Sequence, residues 1–264
     1  MADASYDTLA AVYEWLVPES LLAPAGAAEA FAAVTGELPA GARVLDCAAG
    51  TGQLAVGLAL QGFAVTATDA SAAMVARTRA LAARHGVAVA ADACAWEELA
   101  GRGWEARFDA VLCVGNSLTH AAGPAGRRAA LAAMAGVLAP GGLLALTSRN
   151  WELVRAAGPG LRVGDRLVER DGRAGLVIHG WTLAEDWDAA HRLDVAVALP
   201  AADGTVETHA ERLTFWPFTH TALDADLRAA GLAPASSTYA AHAERYLVTA
   251  RRSADGAGAG RARP

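Results

Sequence analysis

Two aspartates beside a glycine-rich turn indicate a site for a small organic cation. Asp46 ends a short apolar strand, and Gly50-Thr-Gly52 follows it and opens a helix. A buried carboxylate at Asp46 would repel a pyrophosphate but attract an ammonium or sulfonium group. Asp69 ends the next strand, where a carboxylate can accept both hydroxyls of a ribose. The glycines let the backbone approach such a ligand closely.

A ligand with a ribose, an amino group and a positive charge but no phosphate is S-adenosylmethionine. The run Gly50-Thr-Gly52-Gln-Leu-Ala55 also satisfies the G-x-G-x-x-G/A fingerprint of dinucleotide sites. A nicotinamide-dependent oxidoreductase is therefore the more distant alternative. A tight turn with two capping aspartates and no ligand is a third interpretation.

Further cofactor candidates lie at the ends of neighbouring strands. Asp92 follows the third predicted strand, where an acidic side chain can accept the adenine amino group. Met74 lies one turn into the helix after Asp69, either against the adenine or in the core. The full predicted cofactor-binding set is Asp46, Ala48, Gly50, Gly52, Asp69, Ala70, Met74, Asp92, Ala93, Cys94, Val114 and Gly115.

Apolar strands alternate with helices in the first part of the chain, and they must position these residues. Strands are predicted at 43–47, 64–68, 87–91, 108–114 and 143–147. Runs that are apolar along their whole length are typical of a parallel sheet covered on both faces. After residue 150 the pattern changes to successive antiparallel strands, at 161–168, 176–183, 191–199 and 206–216. A helix and two more strands follow.

The sequence therefore predicts an α/β fold. It is a doubly wound, mostly parallel seven-stranded, Rossmann-like sheet with an antiparallel β insert after strand five. The predicted segments are an amino-terminal helical lid at 1–38, a cofactor-binding core at 39–150, a substrate-side insert at 151–217, the end of the core sheet at 218–250 and a disordered tail at 251–264. Within the lid, helical segments are expected at Asp3–Leu16 and Ala27–Gly36.

Composition limits the classes of partner. The chain has 264 residues, is 54% apolar and carries a net charge of −6, which excludes wholesale disorder and argues against duplex nucleic acid or an anionic membrane as a partner. It shows neither a membrane-spanning run nor a secretory signal. Cys47, Cys94 and Cys113 form no metal-ligand spacing, so we expect reduced thiols, no metal and a cytoplasmic protein. The sequence is compatible with a homo-oligomer.

Three motifs in combination resemble the class I S-adenosylmethionine-dependent methyltransferases. They are Val44-Leu-Asp-Cys-Ala-Ala-Gly-Thr-Gly52, Asp69-Ala-Ser71 and Leu138-Ala-Pro-Gly-Gly142. This resemblance covers roughly residues 40 to 150 and implies S-adenosylmethionine as the cofactor, with S-adenosylhomocysteine as its product.

Other runs are similar to the glycine N-methyltransferase branch of that family. These are the segment Phe108 to His120, Ser148-Arg-Asn-Trp151 and Arg212-Leu-Thr-Phe-Trp-Pro217. The run from Tyr6 to Tyr13 is similar to the lid that covers the cofactor in many of these enzymes. This weaker resemblance extends to about residue 250.

The resemblance also implies roles for individual residues. Asn116 matches the asparagine that faces the substrate in the glycine enzymes, and Arg149 matches the arginine that pairs with the glycine carboxylate. Where those enzymes have a Tyr-Tyr-Pro run, this chain has Phe215-Trp216-Pro217. Together with Trp181 and Trp187, that departure predicts a larger, flatter and more apolar acceptor than glycine, unless the tryptophans form the core of the insert.

Methyl transfer from a sulfonium is a direct displacement that needs a well-placed nucleophile and the exclusion of water. A neutral amine attacks unaided, whereas an indole carbon or a phenol benefits from a base. His120 is the candidate base, with Tyr6 or Tyr13 as its hydrogen-bond partner. The predicted catalytic residues are His120, Tyr6 and Asn116, and the predicted substrate-binding residues are Tyr13, Asn116, Arg149, Phe215 and Trp216.

The predicted function is methyl transfer to a nitrogen or carbon of a small molecule, such as an indole or an amino-acid-derived amine in natural-product biosynthesis. A glycine/sarcosine N-methyltransferase is the close alternative, and a non-catalytic S-adenosylmethionine binder is another. Gly115-Asn116 stands where enzymes that methylate the exocyclic amines of nucleic-acid bases have an Asp/Asn-Pro-Pro-Tyr run. We therefore expect a small-molecule acceptor and neither a nucleic-acid nor a membrane partner.

Overall fold

A seven-stranded sheet forms the centre of the molecule in a computed structural model that describes residue 6 and residues 8–164 and 166–254. Its strands are β1 Arg43–Asp46, β2 Ala64–Asp69, β3 Ala90–Ala93, β4 Phe108–Cys113, β5 Leu138–Arg149, β11 Leu232–Ser237 and β12 Arg245–Arg252. Their order is β11-β12-β5-β4-β1-β2-β3, and β12 runs antiparallel to both of its neighbours. The predicted doubly wound sheet is therefore confirmed.

The order of the strands reverses between β1 and β4. From β1 the chain builds outward to β2 and β3, and it then returns to the other side of β1 for β4 and β5. Ligands of such sheets bind in the crevice at the carboxyl ends of the strands at this switch point. The topology thus brings the ends of β1, β2 and β4 to one place.

Seven α-helices accompany the strands within the described residues. They are α1 Pro24–Glu29, α2 Ala32–Thr35, α3 Gln53–Leu60, α4 Ala72–His85, α5 Gly123–Val137, α6 Trp151–Ala156 and α7 His220–Ala229. Ser71 caps α4 by accepting a hydrogen bond from the N–H of Met74, and Gly86 ends the helix with a positive φ. None of these helices is long and apolar enough to cross a membrane.

The insert forms a smaller antiparallel sheet. Its strands are β6 Gly160–Val163, β8 Arg173–Thr182, β9 His191–Pro200 and β10 Val206–Phe215, in the order β10-β9-β8-β6, and β7 Val168–Arg170 pairs with β8. Alternate residues of β9 are buried, as expected for a sheet with one covered face. That face packs against Leu9 and Trp15 of the lid segment and against Trp151. The lid is thereby joined to the insert.

Two predicted boundaries in the lid were wrong. The described part of the segment Asp3–Leu16 forms a 3₁₀ helix over Ala10–Leu16, and residues 1–5 and 7 lie outside the description. The single helix predicted at Ala27–Gly36 is two short helices, α1 and α2, because the backbone at Phe31 leaves the helical region with a φ of −114°.

Three strand predictions also need correction. The strand predicted at 87–91 begins at Ala90, because the N–H of Val87 bonds to the carbonyl of Ala82 and closes the end of α4. The strand predicted at 143–147 runs from Leu138 to Arg149, with a bulge where its pairing with β4 shifts. The strand predicted at 161–168 is two strands, β6, which ends at Val163, and β7, which begins at Val168.

The first two residues of the predicted disordered tail, Arg251 and Arg252, belong to a strand. Arg251 pairs with Leu143 of β5, and Arg252 pairs with Leu232 of β11, so both continue β12. Residues 255–264 lie outside the description.

Candidate functional site

A cavity of about 240 Å³ opens at the switch point of the large sheet. Its walls come from the ends of β1 and β2, from the segments that follow β3 and β4, from the lid and from the insert. The lining residues are Tyr6, Cys47, Ala48, Asp69, Ala70, Cys94, Ala95, Trp96, Glu97, Ser117, His120, Ala121, Ala122, Thr214 and Trp216. Seven of them were predicted to bind the cofactor or the substrate or to act in catalysis: Tyr6, Ala48, Asp69, Ala70, Cys94, His120 and Trp216.

Asp46 lies directly behind this lining, at the end of β1. Its side chain is 1% exposed, and neither carboxylate oxygen has a hydrogen-bond partner within the described residues. Burial raises the pKa of Asp46 to about 7; the nearby N–H of Ala48 lowers this pKa, and the charge of Asp69 raises it. A buried carboxylate without a partner is costly. The arrangement fits a ligand that brings a positive charge to Asp46.

Asp69 ties the glycine turn to the end of β2. One carboxylate oxygen accepts the N–H of Gly50 at 2.9 Å, and the other accepts the N–H of Ser71 at 2.9 Å. Asp69 lines the cavity, where a carboxylate is placed to accept ribose hydroxyls. The backbone contacts hold the carboxylate in one orientation.

Gly52 begins α3 with a φ of +90° and packs tightly against α4. A Cβ atom at this position would lie 2.7 Å from Oγ1 and 2.9 Å from Cα of Thr78. Thr78 in turn donates a hydrogen bond from Oγ1 to the carbonyl of Gly50 at 2.9 Å. The turn is therefore held by a contact that only glycine allows.

We expect Gly52→Ala to lower the free energy of unfolding by about 3 kcal/mol, from positive-φ strain together with the clash on Thr78. The matched control is Gly62→Ala. Gly62 has the same φ of +90° but nothing within 4 Å of an added Cβ, so we expect a loss of only about 1 kcal/mol. Urea denaturation of both variants measures the difference. Equal losses would contradict the close packing of the turn on α4.

The cavity wall after β3 contains residues that the sequence analysis missed. Trp96 and Glu97 begin a 3₁₀ helix and line the cavity, and Trp96 donates a hydrogen bond from Nε1 to the carbonyl of Cys47 at 2.8 Å. The N–H of Cys94 bonds to the carbonyl of Asp69. An aromatic residue just after a strand end was an available signal, because such positions face the crevice.

His120 and Tyr6 meet at the opposite wall. The hydroxyl of Tyr6 lies 3.1 Å from Nε2 of His120, and the two rings pack edge to face. Burial, followed by the neighbouring Tyr13 and Glu211, raises the pKa of Tyr6 well above its ordinary value, so its hydroxyl stays protonated at neutral pH. The predicted pairing of a lid tyrosine with His120 is present in the structure.

The two aromatic residues at the end of β10 have different places. Trp216 lines the cavity, whereas Phe215 is buried in the core of the insert. The ring of Phe215 lies 4.6 Å from that of His120 and also contacts Trp151 and Trp181. Phe215 therefore supports His120 from behind instead of lining the cavity.

Two predicted cofactor residues lie outside the lining of this cavity. The carboxylate of Asp92 lies 3.4 Å from the guanidinium of Arg79 on α4. Met74 is 2% exposed and is an interior residue of α4. The neighbouring Ala93 presents its carbonyl to Arg102.

Asn116, a predicted catalytic and substrate-binding residue, is held by two hydrogen bonds. Its Oδ1 accepts the N–H of Arg149 at 2.9 Å, and its Nδ2 donates to Oγ1 of Thr119 at 3.1 Å. The residue is 6% exposed with a φ of +73°, so its side chain braces the loop after β4. The adjacent Gly115 is fixed by an N–H bond to Oγ1 of Thr147, and Val114 packs in the core of the sheet.

Tyr13 and Arg149, both predicted to bind substrate, lie beyond the cavity lining. Tyr13 approaches Gly50 and contacts Tyr6 edge to face, and burial raises its pKa. The guanidinium of Arg149 lies 5.8 Å from the ring centre of Trp181. Tyr13 therefore lies beside the glycine turn, and Arg149 lies beside the core of the insert.

These residues fit S-adenosylmethionine. Asp46 would take its ammonium group, Asp69 its ribose hydroxyls, and the wall at Cys94 and Trp96 its adenine. Within the described residues, no three His, Cys, Asp or Glu side chains are grouped as a metal site requires.

Comparisons with known proteins show a methyltransferase domain in this chain. Residues 44–142 match the model of a family described as a methyltransferase domain. The chain is 38% identical over 112 residues to the glycine/sarcosine N-methyltransferase of Aphanothece halophytica, a match covering 42% of each chain. Curated relatives of this kind from two other organisms match at similar identity, and the chain spans less than half of the length of these three relatives.

Solved structures match over nearly the whole chain. The CcbJ methyltransferase from Streptomyces caelestis has a TM-score of 0.76 at 22% identity, covering 96% of this chain and 99% of that one. The sugar N-methyltransferase KedS8 from Streptoalloteichus sp ATCC 53650 has a TM-score of 0.71 at 22% identity, covering 92% of each chain. These likenesses confirm the predicted fold.

Proposed function

We propose that this chain, which carries a class I S-adenosylmethionine-dependent methyltransferase domain resembling the glycine N-methyltransferase branch, transfers the methyl group of that cofactor to an amine nitrogen of a small molecule. The observation that carries the proposal is the buried carboxylate of Asp46, which has no hydrogen-bond partner within the described residues and lies behind the cavity wall. A dinucleotide would bring a pyrophosphate towards this carboxylate, which disfavours the oxidoreductase alternative.

Nitrogen is favoured over carbon by the kind of relative that the chain matches. The glycine/sarcosine relative and the solved sugar enzyme are both named as N-methyltransferases. An amine that reaches the cavity as an ammonium must lose a proton before it can attack. We assign the removal of this proton to His120, which is paired with Tyr6.

S-adenosylmethionine, when bound, supplies a methyl group on a positively charged sulfur. The protein therefore needs to position the acceptor and does not need to supply a nucleophile. We place the acceptor between His120 and the residues of β10 and its end, Thr214 and Trp216. His120 accepts the proton that the amine loses, and Tyr6 holds the imidazole through its 3.1 Å contact with Nε2. We assign the exclusion of water to Trp216, which lines the cavity from the insert.

The test of this function is a panel of methyl acceptors, read by the release of S-adenosylhomocysteine. Glycine, sarcosine, tryptamine and an amino sugar represent amines, and phenol and indole represent oxygen and carbon nucleophiles. We expect turnover with at least one amine and none with phenol or indole. Turnover of the phenol or indole alone would contradict the nitrogen proposal, and a release from none of the panel would contradict the proposed function.

We expect His120→Ala to lower kcat/KM at least tenfold while S-adenosylhomocysteine binds with unchanged affinity. Tyr6→Phe should lower kcat/KM about tenfold, since it removes one hydrogen bond to the imidazole. The matched control is His209→Ala, because His209 is a half-buried histidine of β10 that lies outside the cavity lining and 2.8 Å from Glu207. Full activity of His120→Ala and Tyr6→Phe would show that the acceptor lies elsewhere.

A further inference from the structure

Tyr6 of the lid is held both by its side chain and by its backbone. Its hydroxyl lies 3.1 Å from Nε2 of His120, and its N–H donates a hydrogen bond to Oε1 of Glu211 at 2.6 Å. His120 follows β4 of the large sheet, whereas Glu211 belongs to β10 of the insert. Tyr6 therefore joins the two sheets beside the cavity that it lines.

The backbone of Tyr6 has a conformation that needs such a contact. Its φ is +82°, in the left-handed region that a bulky residue adopts only when neighbouring groups impose it. The ring packs edge to face against Tyr13, with 5.8 Å between the ring centres. The ring and hydroxyl contacts fix the side chain, and the bond to Glu211 fixes the peptide N–H. That bond thus sets the direction from which the tyrosine side chain approaches His120.

The stability of the insert does not explain a carboxylate at position 211. Successive residues of a strand point to opposite faces, so Glu211 shares a face with Leu213 and Phe215, which are buried in the core of the insert. Its second oxygen, Oε2, is buried and has no hydrogen-bond partner within the described residues. A carboxylate oxygen in that state opposes folding. The contact with Tyr6 is the better explanation for this carboxylate.

The helix of the lid is held to the insert at a different place. Arg170 of β7 donates hydrogen bonds to the carbonyls of Glu14 and Val17, both at 3.0 Å. These carbonyls lie at the end of the 3₁₀ helix, so the helix is fixed independently of Tyr6. Loss of the contact with Glu211 should therefore release Tyr6 and leave the helix in place.

We propose that Glu211 is a positioning residue for methyl transfer, which holds the hydroxyl of Tyr6 at Nε2 of His120 through its hydrogen bond to the N–H of Tyr6. This proposal rests on the proposed function, since Tyr6 and His120 take their roles from it. Glu211 lies outside the cavity lining and acts through Tyr6. A charged acceptor makes a short and strong hydrogen bond with a backbone N–H, in accord with the distance of 2.6 Å.

The test is a double-mutant cycle of Glu211→Leu and Tyr6→Phe, read as kcat/KM for an amine that the chain methylates. Leucine suits the apolar face but cannot accept the N–H. We expect Glu211→Leu to lower kcat/KM about tenfold in the wild type and less than about twofold in the Tyr6→Phe background, where the hydroxyl is absent. Equal losses in the two backgrounds would overturn the proposal, because a merely structural role does not depend on that hydroxyl.

Two further variants separate the hydrogen bond from the bulk of the side chain. Glu211→Gln keeps an oxygen that can accept the N–H of Tyr6, so it should retain at least about a third of the wild-type kcat/KM. The matched control is Glu207→Leu, on the exposed part of the same strand, where the carboxylate pairs with Arg173 at 2.8 Å. It should keep full activity. A loss in Glu211→Gln or Glu207→Leu as large as that in Glu211→Leu would overturn the role of the Tyr6 contact.

The ring of His120 reports the same contact without turnover. In the NMR spectrum of the cofactor-free chain with labelled histidine, the ring signal of His120 is the one that His120→Ala removes. We expect Glu211→Leu and Tyr6→Phe to shift this signal in the same direction, and Glu207→Leu to leave it unchanged. An unshifted signal in Glu211→Leu would overturn the proposal.

The positioning role and the proposed function fail separately in these experiments. Inactivity with every amine, together with a shifted ring signal in Glu211→Leu, contradicts the proposed function and supports the contact between Tyr6 and His120. Turnover of an amine, together with an unshifted ring signal in the same variant, contradicts the role of Glu211 alone.

Discussion

We expect Asp46→Ala to abolish binding of S-adenosylhomocysteine, with a dissociation constant raised at least a hundredfold. The carboxylate is 1% exposed and has no hydrogen-bond partner within the described residues, so its interaction with a ligand ammonium is made away from water. Breaking a buried ion pair by removing one partner costs about 3 kcal/mol or more, which is a factor of about a hundred in affinity. Isothermal titration calorimetry measures this dissociation constant directly.

The same variant should not harm the fold. A buried carboxylate without a partner opposes folding, so Asp46→Ala and Asp46→Asn are expected to unfold at the wild-type urea concentration or above it when no cofactor is present. The matched control is Asp109→Ala, on the neighbouring strand β4, where the aspartate forms a partly exposed ion pair with Arg43. It should bind S-adenosylhomocysteine normally. Tight binding by Asp46→Ala would contradict the cofactor assignment.

The strands of the large sheet were predictable because their sequences are apolar along nearly their whole length. The sequence predicts the first and last residues of these strands less accurately. Val87 belongs to an apolar run but closes the end of α4, so β3 starts later than the run does. A boundary of this kind depends on which backbone groups pair, and composition does not carry that information.

The two carboxylates at strand ends were predictable from position, whereas the orientation of side chains was not. Asp69 lines the cavity and Asp46 ends the neighbouring strand, because the ends of these strands meet there. Asp92 also follows this rule in sequence, but Arg79 of α4 draws its side chain away. Arg149 and Arg245 lie almost a hundred positions apart, and only the register of β5 with β12 places them side by side.

We expect the affinity for S-adenosylhomocysteine to depend steeply on pH. Burial raises the pKa of Asp46 to about 7, so the cofactor-free chain holds a proton on this carboxyl in mildly acidic solution. Binding of an ammonium group requires the charged carboxylate, and the proton must then leave. The dissociation constant should rise about tenfold for each pH unit below the pKa, and it should level off above it.

Stability of the cofactor-free chain should change with pH in the opposite direction. The pKa of Asp46 is higher in the folded chain than the value of about 3.9 that an unfolded chain has, so the folded state binds more protons between about pH 4 and pH 7. The contribution of this residue to the free energy of unfolding therefore falls as pH rises through that interval, and it is constant above about pH 7.

The difference between wild type and Asp46→Asn isolates both effects, because every other titrating group is common to the two proteins. Asparagine cannot ionise, so we expect this variant to lose the steep dependence of binding on pH below about 7. Its stability relative to the wild type should increase as pH rises from about 4 to about 7. A binding curve as steep in Asp46→Asn as in the wild type would place the controlling proton elsewhere. Wild-type binding that strengthens as pH falls would contradict a carboxylate that must be charged to hold the cofactor.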